Sequence, residues 1–153
     1  MHISGQLDWQ EVESVSKNLK GISHQADRYH PYMYLHDDMG AALTAADIVV
    51  SRAGASALGE YPLFGLPAIL VPYPHAWQYQ AVNARYLSSR GAAVLVHDEA
   101  LQDQFLPQLR ELMTNNELRN SMSQAMRALY KPNAAESIAS HLIELAASSR
   151  GRN

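Results

Sequence analysis

Apolar positions along the chain follow one helical rhythm, interrupted by short strand-like runs. Trp9, Val12, Val15 and Leu19 fall at helical spacing, which predicts a helix over residues 8–20 with Asp8 as its N-cap and Gly21 just past its end. His30-Pro31 blocks helix, and residues 32–35 favour a short strand that stops at the His36-Asp37-Asp38 cluster. Asp37 or Asp38 then caps a helix over residues 39–46, and Asp47-Ile48-Val49-Val50-Ser51 reads as a short β-branched strand. Residues 55–64 return to helix, ended by Gly65-Leu66-Pro67, and residues 68–71 form a strand closed by Pro72. The next helix covers residues 78–90 with Gly91 as terminator, and the next strand covers residues 92–96.

Strand runs that are apolar on both faces, separated by helices, indicate a parallel sheet with helices on both sides. The expected fold class is therefore α/β, a Rossmann-like, doubly wound parallel sheet. Beyond Glu99 the pattern becomes wholly helical: Leu101, Phe105, Leu109 and Leu112, then Leu118, Met122, Met126 and Leu129, then Ile138, Leu142 and Leu145. Three helices are expected to close the domain, with Asn133 capping the last. Residues 1–147 read as one domain and residues 148–153 as a frayed polar tail. At the other end, Met1-His2-Ile3-Ser4-Gly5 reads as the end of a strand running into a glycine turn. A chain that starts this way is expected to be a piece of something longer.

Composition narrows the partners. The 153 residues are 47% hydrophobic and 18% charged, a globular profile able to bury a single core. A net charge of -3 without any basic run argues against nucleic acid as a partner. The absence of cysteine rules out disulfides and thiolate metal sites and suits a reducing cytoplasm. No apolar run reaches the roughly 18–20 residues needed to cross a bilayer, and the N-terminus lacks the design of a signal peptide. Seven histidines include no pair at the spacing that holds a metal, so no metal site is expected.

The chemistry gathers in loops after the strands, where open α/β sheets bind ligands. In Ser51-Arg52-Ala53-Gly54-Ala55-Ser56 the small side chains let a ligand approach backbone amides at a helix N-terminus, which attracts phosphate. Such a turn after a strand is usually just a tight βα connection, and Arg52 also reads as a partner for a surface carboxylate. Glu60 shares a helix face with Ser56 and Ala57, within reach of sugar hydroxyls, or is simply solvated. Gln80 and Asn83, three residues apart, offer donors and acceptors suited to a polyhydroxylated ligand, or face water. A third loop, Leu35-His36-Asp37-Asp38, offers backbone that could grip a base, or its two aspartates simply cap the next helix. His75, set after Pro74, reads more readily as a structural histidine than as a general base, because no nucleophile or carboxylate stands beside it in sequence.

The run DDMGAALTAADIVVSRAGASALGEYPLFGLPAILVPYPHAWQYQAVNARYLSSRGAAVLV resembles the C-terminal domain of the MurG family of N-acetylglucosaminyltransferases. His2-Ile3-Ser4-Gly5 is similar to the end of that domain's first strand, and the helical tail is similar in length and spacing. The specific elements are Ala46-Asp47, Ser51-Arg52-Ala53-Gly54-Ala55, Glu60, Gly65-Leu66-Pro67-Ala68, Pro72-Tyr73-Pro74-His75 and Gln80-x-x-Asn83-Ala84. The resemblance implies the donor-binding half of a GT-B glycosyltransferase of peptidoglycan synthesis. In such an enzyme UDP-N-acetylglucosamine is the donor, no cofactor or essential protein-bound metal is needed, and the reaction inverts the anomeric carbon.

By motif, His36 backbone would hold uracil, Arg52 would lie near the nucleotide, and Glu60 would bind the ribose. Gly54 would leave the backbone open, Ala55, Ser56 and Ala57 would offer amides to sugar and diphosphate, and Gln80 would hold sugar hydroxyls with Asn83 beside it. The resemblance further implies that catalytic residues lie outside this chain, on an N-terminal domain that takes the lipid-linked acceptor. Alone, the chain would be inactive. The whole enzyme would be cytoplasmic and peripheral at the inner face of the plasma membrane.

Three departures stand out. The segment after His75 reads Ala76-Trp77-Gln78-Tyr79-Gln80, where the family often has a longer Asp-rich or Gln-Gln version. Ser56 and Ala57 stand where Ser or Leu and Thr are frequent. Pro62 lies inside a helix and should bend it just past Glu60. Two alternatives stay open: the donor domain of another GT-B enzyme using a different UDP-hexose, and a non-catalytic interaction module. Self-association through an uncovered face or sheet edge is a further expectation.

Overall fold

The computed structural model describes residues 1–20, 26–75 and 79–150. It is an α/β protein whose parallel sheets are flanked by helices, divided into two compact units, Met1–Ala46 and Asp47–Asn153.

The first unit runs β1 (His2–Ile3), α1 (Gly5–Lys20), a 3-10 turn (Ala26–Arg28), β2 (Pro31–Tyr32), a second 3-10 turn (His36–Asp38) and α2 (Met39–Ala45). β1 and β2 pair in parallel, His2 against Pro31 and Ile3 against Tyr32. Gly5, at φ +76°, takes the left-handed conformation that turns the chain from β1 into α1. The helix thus begins three residues earlier than the apolar spacing suggested, and Asp8 is not its cap. Asp8 lies within the first turn, where its carboxylate favours the helix dipole. The expected stop at Gly21 lies outside the described residues.

The capping role expected of Asp37 or Asp38 also fails. The 3-10 turn runs directly into α2, and Asp38 occupies the N-cap position with helical φ of -83° and no side-chain cap hydrogen bond. A carboxylate caps when its residue is extended and its side chain folds over the next amides; a helical Asp38 does not offer that geometry.

The second unit runs β3 (Val49–Ser51), α3 (Ala57–Phe64), β4 (Ala68–Leu70), α4 (Tyr79–Ser88), β5 (Ala93–Leu95), a 3-10 turn (Asp98–Ala100), α5 (Leu101–Thr114), α6 (Asn116–Arg127) and α7 (Ala134–Arg150). The strands form one parallel sheet in the order β3-β4-β5. β4 is central and buried along its whole length. Ile69 points to the face where Val71, Val96, Leu112 and Met122 form the core, joined by Phe105 and Leu109 of α5 and Leu118 of α6. Ala68 and Leu70 alternate to the other face and are fully buried as well, so helices cover the strand on both sides. Burial of each large aliphatic side chain contributes about 1.5–3 kcal/mol, which makes this strand the anchor of the unit.

Local signals set the connections. Gly65 ends α3 at φ +60°, its amide donating to the Pro62 carbonyl and that of Leu66 to Tyr61. Pro62 sits within α3, buried, and the helix continues through Phe64. Asn115 caps α6 by accepting from the Leu118 amide at 3.0 Å. Asn133, at φ +60°, precedes α7 and its carbonyl accepts from Ser137.

α7 differs from its expected role. It extends to Arg150, so residues 148–150 are helical, and Ile138, Leu142 and Leu145 are exposed instead of closing a core. Helical periodicity marks an apolar face but not what covers it. Among the described residues, no helix is long and apolar enough to cross a membrane.

Candidate functional site

Register gathers the loops of the second unit. Ser51, Leu70 and Leu95 are aligned across the sheet, so the chain leaves all three parallel strands at one end. The segments that follow carry Arg52, Val71 with Tyr73, and Asp98. This is the carboxyl end at which open parallel sheets gather ligand-binding loops.

Arg52 joins these strand ends. Its Nη1 donates to the Val71 carbonyl at 3.2 Å and to Asp98 Oδ1 at 2.5 Å, and its guanidinium carbon lies 5.4 Å from the centre of the Tyr73 ring. Pairing of Arg52 with a carboxylate was one of its two open readings, and the structure supplies the partner. The pair is about half exposed, a setting in which an ion pair contributes only ~0–1 kcal/mol to stability. Its consequence is geometric.

The segment from Arg52 to Ser56 is held from three sides. Asn83 of α4 donates from Nδ2 to the Ala53 carbonyl at 3.0 Å. Tyr61 of α3 donates its hydroxyl to Ser51 Oγ at 2.8 Å, and Ser51 in turn donates to the Arg52 carbonyl. Burial pushes the Tyr61 phenol above its ordinary value of 10.0; the Ser51 hydrogen bond draws it back in part and the nearby Glu60 charge raises it further. The phenol is therefore a proton donor throughout the neutral range.

With the loop held, its amides divide. Ala57 donates to the Gly54 carbonyl at 3.2 Å and Leu58 to Ala55 at 3.1 Å, closing the first turn of α3. Ala57 is buried, so of the amide-bearing residues singled out in the sequence it is the one turned inward. The amides of Gly54, Ala55 and Ser56 have no acceptor among the described hydrogen bonds. A Cβ added at Gly54 would meet nothing within 4 Å, so the backbone there is open to approach. Ser56 is exposed and makes no side-chain cap, and Glu60, a turn further on, is exposed as well.

Gln80 and Asn83 do not simply face water. Gln80 Oε1 accepts from the Tyr73 amide at 2.9 Å, fixing the loop after β4 as Asn83 fixes the loop after β3. His75 is exposed, its ring edge-on to Tyr73 at 5.5 Å. Between the loop after β4 and the segment after β5 lies a cleft of about 160 Å³ lined by Tyr73, Pro74, Ala81, His97, Asp98 and neighbours. Ala76, Trp77 and Gln78, part of the segment that departs from the family pattern, lie outside the described residues.

His36 belongs to the first unit. Its backbone is left-handed at φ +41°, uncommon for a residue with a side chain, and its ring tilts against Tyr34 at 5.6 Å. Its carbonyl accepts from Met39, while its amide has no acceptor among the described hydrogen bonds. Among the described residues no group of three or more His, Asp or Glu side chains is placed to hold a metal.

Sequence reasoning missed Tyr61 and Asp98. Asp98 could have been found, since it follows a strand at the ligand-binding end, but nothing local names its partner. Tyr61 looked like a core aromatic and is one, with its polar tip in use.

Comparison with known proteins gives the family. Residues 1–142 match the family model described as the glycosyltransferase family 28 C-terminal domain. The chain is 39% identical over 142 residues to a UDP-N-acetylglucosamine--N-acetylmuramyl-(pentapeptide) pyrophosphoryl-undecaprenol N-acetylglucosamine transferase of Desulforamulus reducens, covering 90% of this chain and 37% of the relative. A protein of the same name from Roseiflexus sp. is 43% identical over 131 residues, covering 73% of this chain and 29% of the relative. The crystal structure of Acinetobacter baumannii MurG aligns with a TM-score of 0.71 at 26% identity, over 94% of this chain and 39% of that one. The chain thus spans well under half the length of these relatives. By its sequence, and by a fold shared with a solved MurG, this chain belongs to the glycosyltransferase family 28 C-terminal domain family.

Proposed function

We propose that this chain is the donor-binding part of a glycosyltransferase that moves N-acetylglucosamine from UDP-N-acetylglucosamine to a lipid-linked muramoyl-pentapeptide in cell-wall synthesis. The observation that carries the reading is the row of open amides at Gly54, Ala55 and Ser56, set at the carboxyl end of a parallel sheet beside Arg52. Unpartnered amides at a helix start, with a guanidinium nearby, suit a diphosphate. The names of the relatives supply the sugar, the donor and the acceptor class.

In this reading the diphosphate rests on the amides of Gly54, Ala55 and Ser56, with Arg52 beside it. Exposed Glu60 accepts from the ribose hydroxyls. Ala57, turned inward, shapes the turn. Gln80 keeps its Oε1 on the Tyr73 amide and offers its amide nitrogen to the sugar, while Asn83 serves chiefly to hold the loop. Placement of uracil on the His36 backbone rests on the resemblance alone, and His75 is an accessory contact at most.

Transfer displaces UDP from the anomeric carbon by an acceptor hydroxyl, with inversion. The contribution of these residues is to orient the donor and stabilise the charge that develops on the departing diphosphate, as fixed amides do without reorganising during the reaction. The base that takes the acceptor proton and the acceptor site itself fall to the part of the longer protein that this chain does not span. That enzyme works at the cytoplasmic face of the membrane, where a lipid-linked acceptor and a soluble nucleotide sugar meet.

Calorimetric titration of the chain with UDP-N-acetylglucosamine, UDP-glucose, UDP and GDP tests the reading, with Glu60→Ala as control. Binding of the uridine ligands, preference for the N-acetylated sugar, and loss in the variant are expected. Equal binding of UDP-glucose would point to another hexosyl donor, and no binding at millimolar ligand to an interaction module.

A further inference from the structure

We infer that Asp98 is a positioning residue for the donor phosphates, acting through Arg52; the inference rests on the donor-binding reading above. Arg52 is the only cation among the described residues that the structure ties to the carboxyl end of the sheet. Its Nη1 carries two hydrogens, and both are taken, by the Val71 carbonyl at 3.2 Å and by Asp98 Oδ1 at 2.5 Å. Tyr73 supports the guanidinium within cation–π range at 5.4 Å. Nε and Nη2 have no acceptor among the described hydrogen bonds, and the side chain is 48% exposed.

A guanidinium is a planar fork that recognises phosphate best when two adjacent N–H groups point at it. With Nη1 fixed, the edge formed by Nε and Nη2 is the one left for a ligand. Asp98 sets that orientation from a rigid base, since it opens the 3-10 turn that follows β5 and its carbonyl accepts from Leu101. Val71 clamps the other side: its amide donates to the Ser51 carbonyl while its own carbonyl accepts from Arg52. An ion pair this exposed contributes little to stability, so the arrangement is better explained by what it does to Arg52 than by what it does to the fold.

The test compares wild-type chain, Asp98→Asn, Asp98→Glu, Arg52→Ala and the Asp98→Asn/Arg52→Ala double variant, titrated with UDP and with uridine. Asp98→Asn is expected to weaken UDP roughly tenfold, the scale of one charge-assisted hydrogen bond, and to leave uridine within about twofold. Asp98→Glu keeps the charge and is expected to retain most UDP affinity. In the Arg52→Ala background, Asp98→Asn should cost UDP nothing further, the signature of two residues acting as one. Nitrogen-15 NMR of the guanidinium gives a readout without ligand: Arg52 Nη resonances resolved in the wild type should collapse by free rotation in Asp98→Asn.

Equal loss of uridine and UDP, or additive effects in the double variant, would overturn the proposal in favour of a general structural role. Tighter UDP binding by Asp98→Asn would overturn it too, showing that Asp98 competes with phosphate for Arg52. Wild-type chain that binds neither ligand would overturn the donor reading and this inference with it, whereas wild-type binding with an unchanged Asp98→Asn overturns the role of Asp98 alone.

Discussion

Asn83 Nδ2 donates to the Ala53 carbonyl at 3.0 Å, tying the second turn of α4 to the loop that leaves β3. The two residues are 30 positions apart, and the bond is one of the ties on the loop that carries the open amides of Gly54, Ala55 and Ser56. Asn83→Ala removes the donor and is expected to cost about 1 kcal/mol of stability. It should also weaken UDP-N-acetylglucosamine binding by more than that loss, because the loop samples other positions. Urea denaturation and calorimetry on the same preparation separate the two effects; unchanged binding would show that the loop holds its shape without α4.

Gln80 performs two separable tasks in the proposed site. Gln80→Glu keeps an oxygen to accept from the Tyr73 amide but removes the nitrogen proposed to reach the sugar. UDP-N-acetylglucosamine should bind roughly tenfold more weakly while UDP is unaffected. Equal weakening of both ligands would place the role of Gln80 in the loop and not at the sugar.

Gly65→Ala should destabilise the second unit on two counts. The residue sits at φ +60°, and a Cβ there would overlap the Arg127 side chain. A penalty of at least about 1 kcal/mol is expected from the backbone alone. Adding Arg127→Ala should relieve the overlap and leave the backbone strain, so the double variant should recover part of the loss in a denaturant titration. Full recovery would mean that φ strain is negligible here.

Tyr61 gives a pH signature. Its folded phenol titrates above 10.0 because it is buried, so below pH 10 the protonated form is shared by folded and unfolded chain and its contribution is fully present. As pH rises from 10 through the raised folded value, the unfolded chain loses its proton first and stability falls. Tyr61→Phe loses the hydrogen bond to Ser51 and should be less stable at pH 7, but its stability should decline less steeply above pH 10. Parallel alkaline slopes for the two proteins would show that other groups control that limb.

Much of the fold was legible because it is local. The β-branched runs, the helical spacing of apolar residues and the left-handed glycines at 65 and 91 each act within a few residues of themselves, and most elements of the second unit fall close to where those signals put them, whereas the strand expected over residues 32–35 forms instead at Pro31–Tyr32, where pairing with β1 places it. Element ends were less legible. Asp8 and Asp38 have the right chemistry for caps, yet a glycine turn at one place and a 3-10 turn at the other settle where each helix begins. The family motifs around Arg52, Glu60 and Gln80 were readable as a set because their order and spacing are specific even where each alone is weak.

The order and kind of most elements, and the candidate loops between them, follow from backbone preference and the period of hydrophobic positions; which strand is central does not, and only the sheet order places β4 there. Tertiary structure alone decided that Arg52 meets Asp98, 46 residues away, that Asn83 reaches Ala53, and that the apolar residues of α7 are exposed. Parallel pairing fixes a common end for strands far apart in sequence, and only that register brings a cation after β3 to a carboxylate after β5. No local pattern encodes such a meeting, because the distance it depends on is set by the sheet.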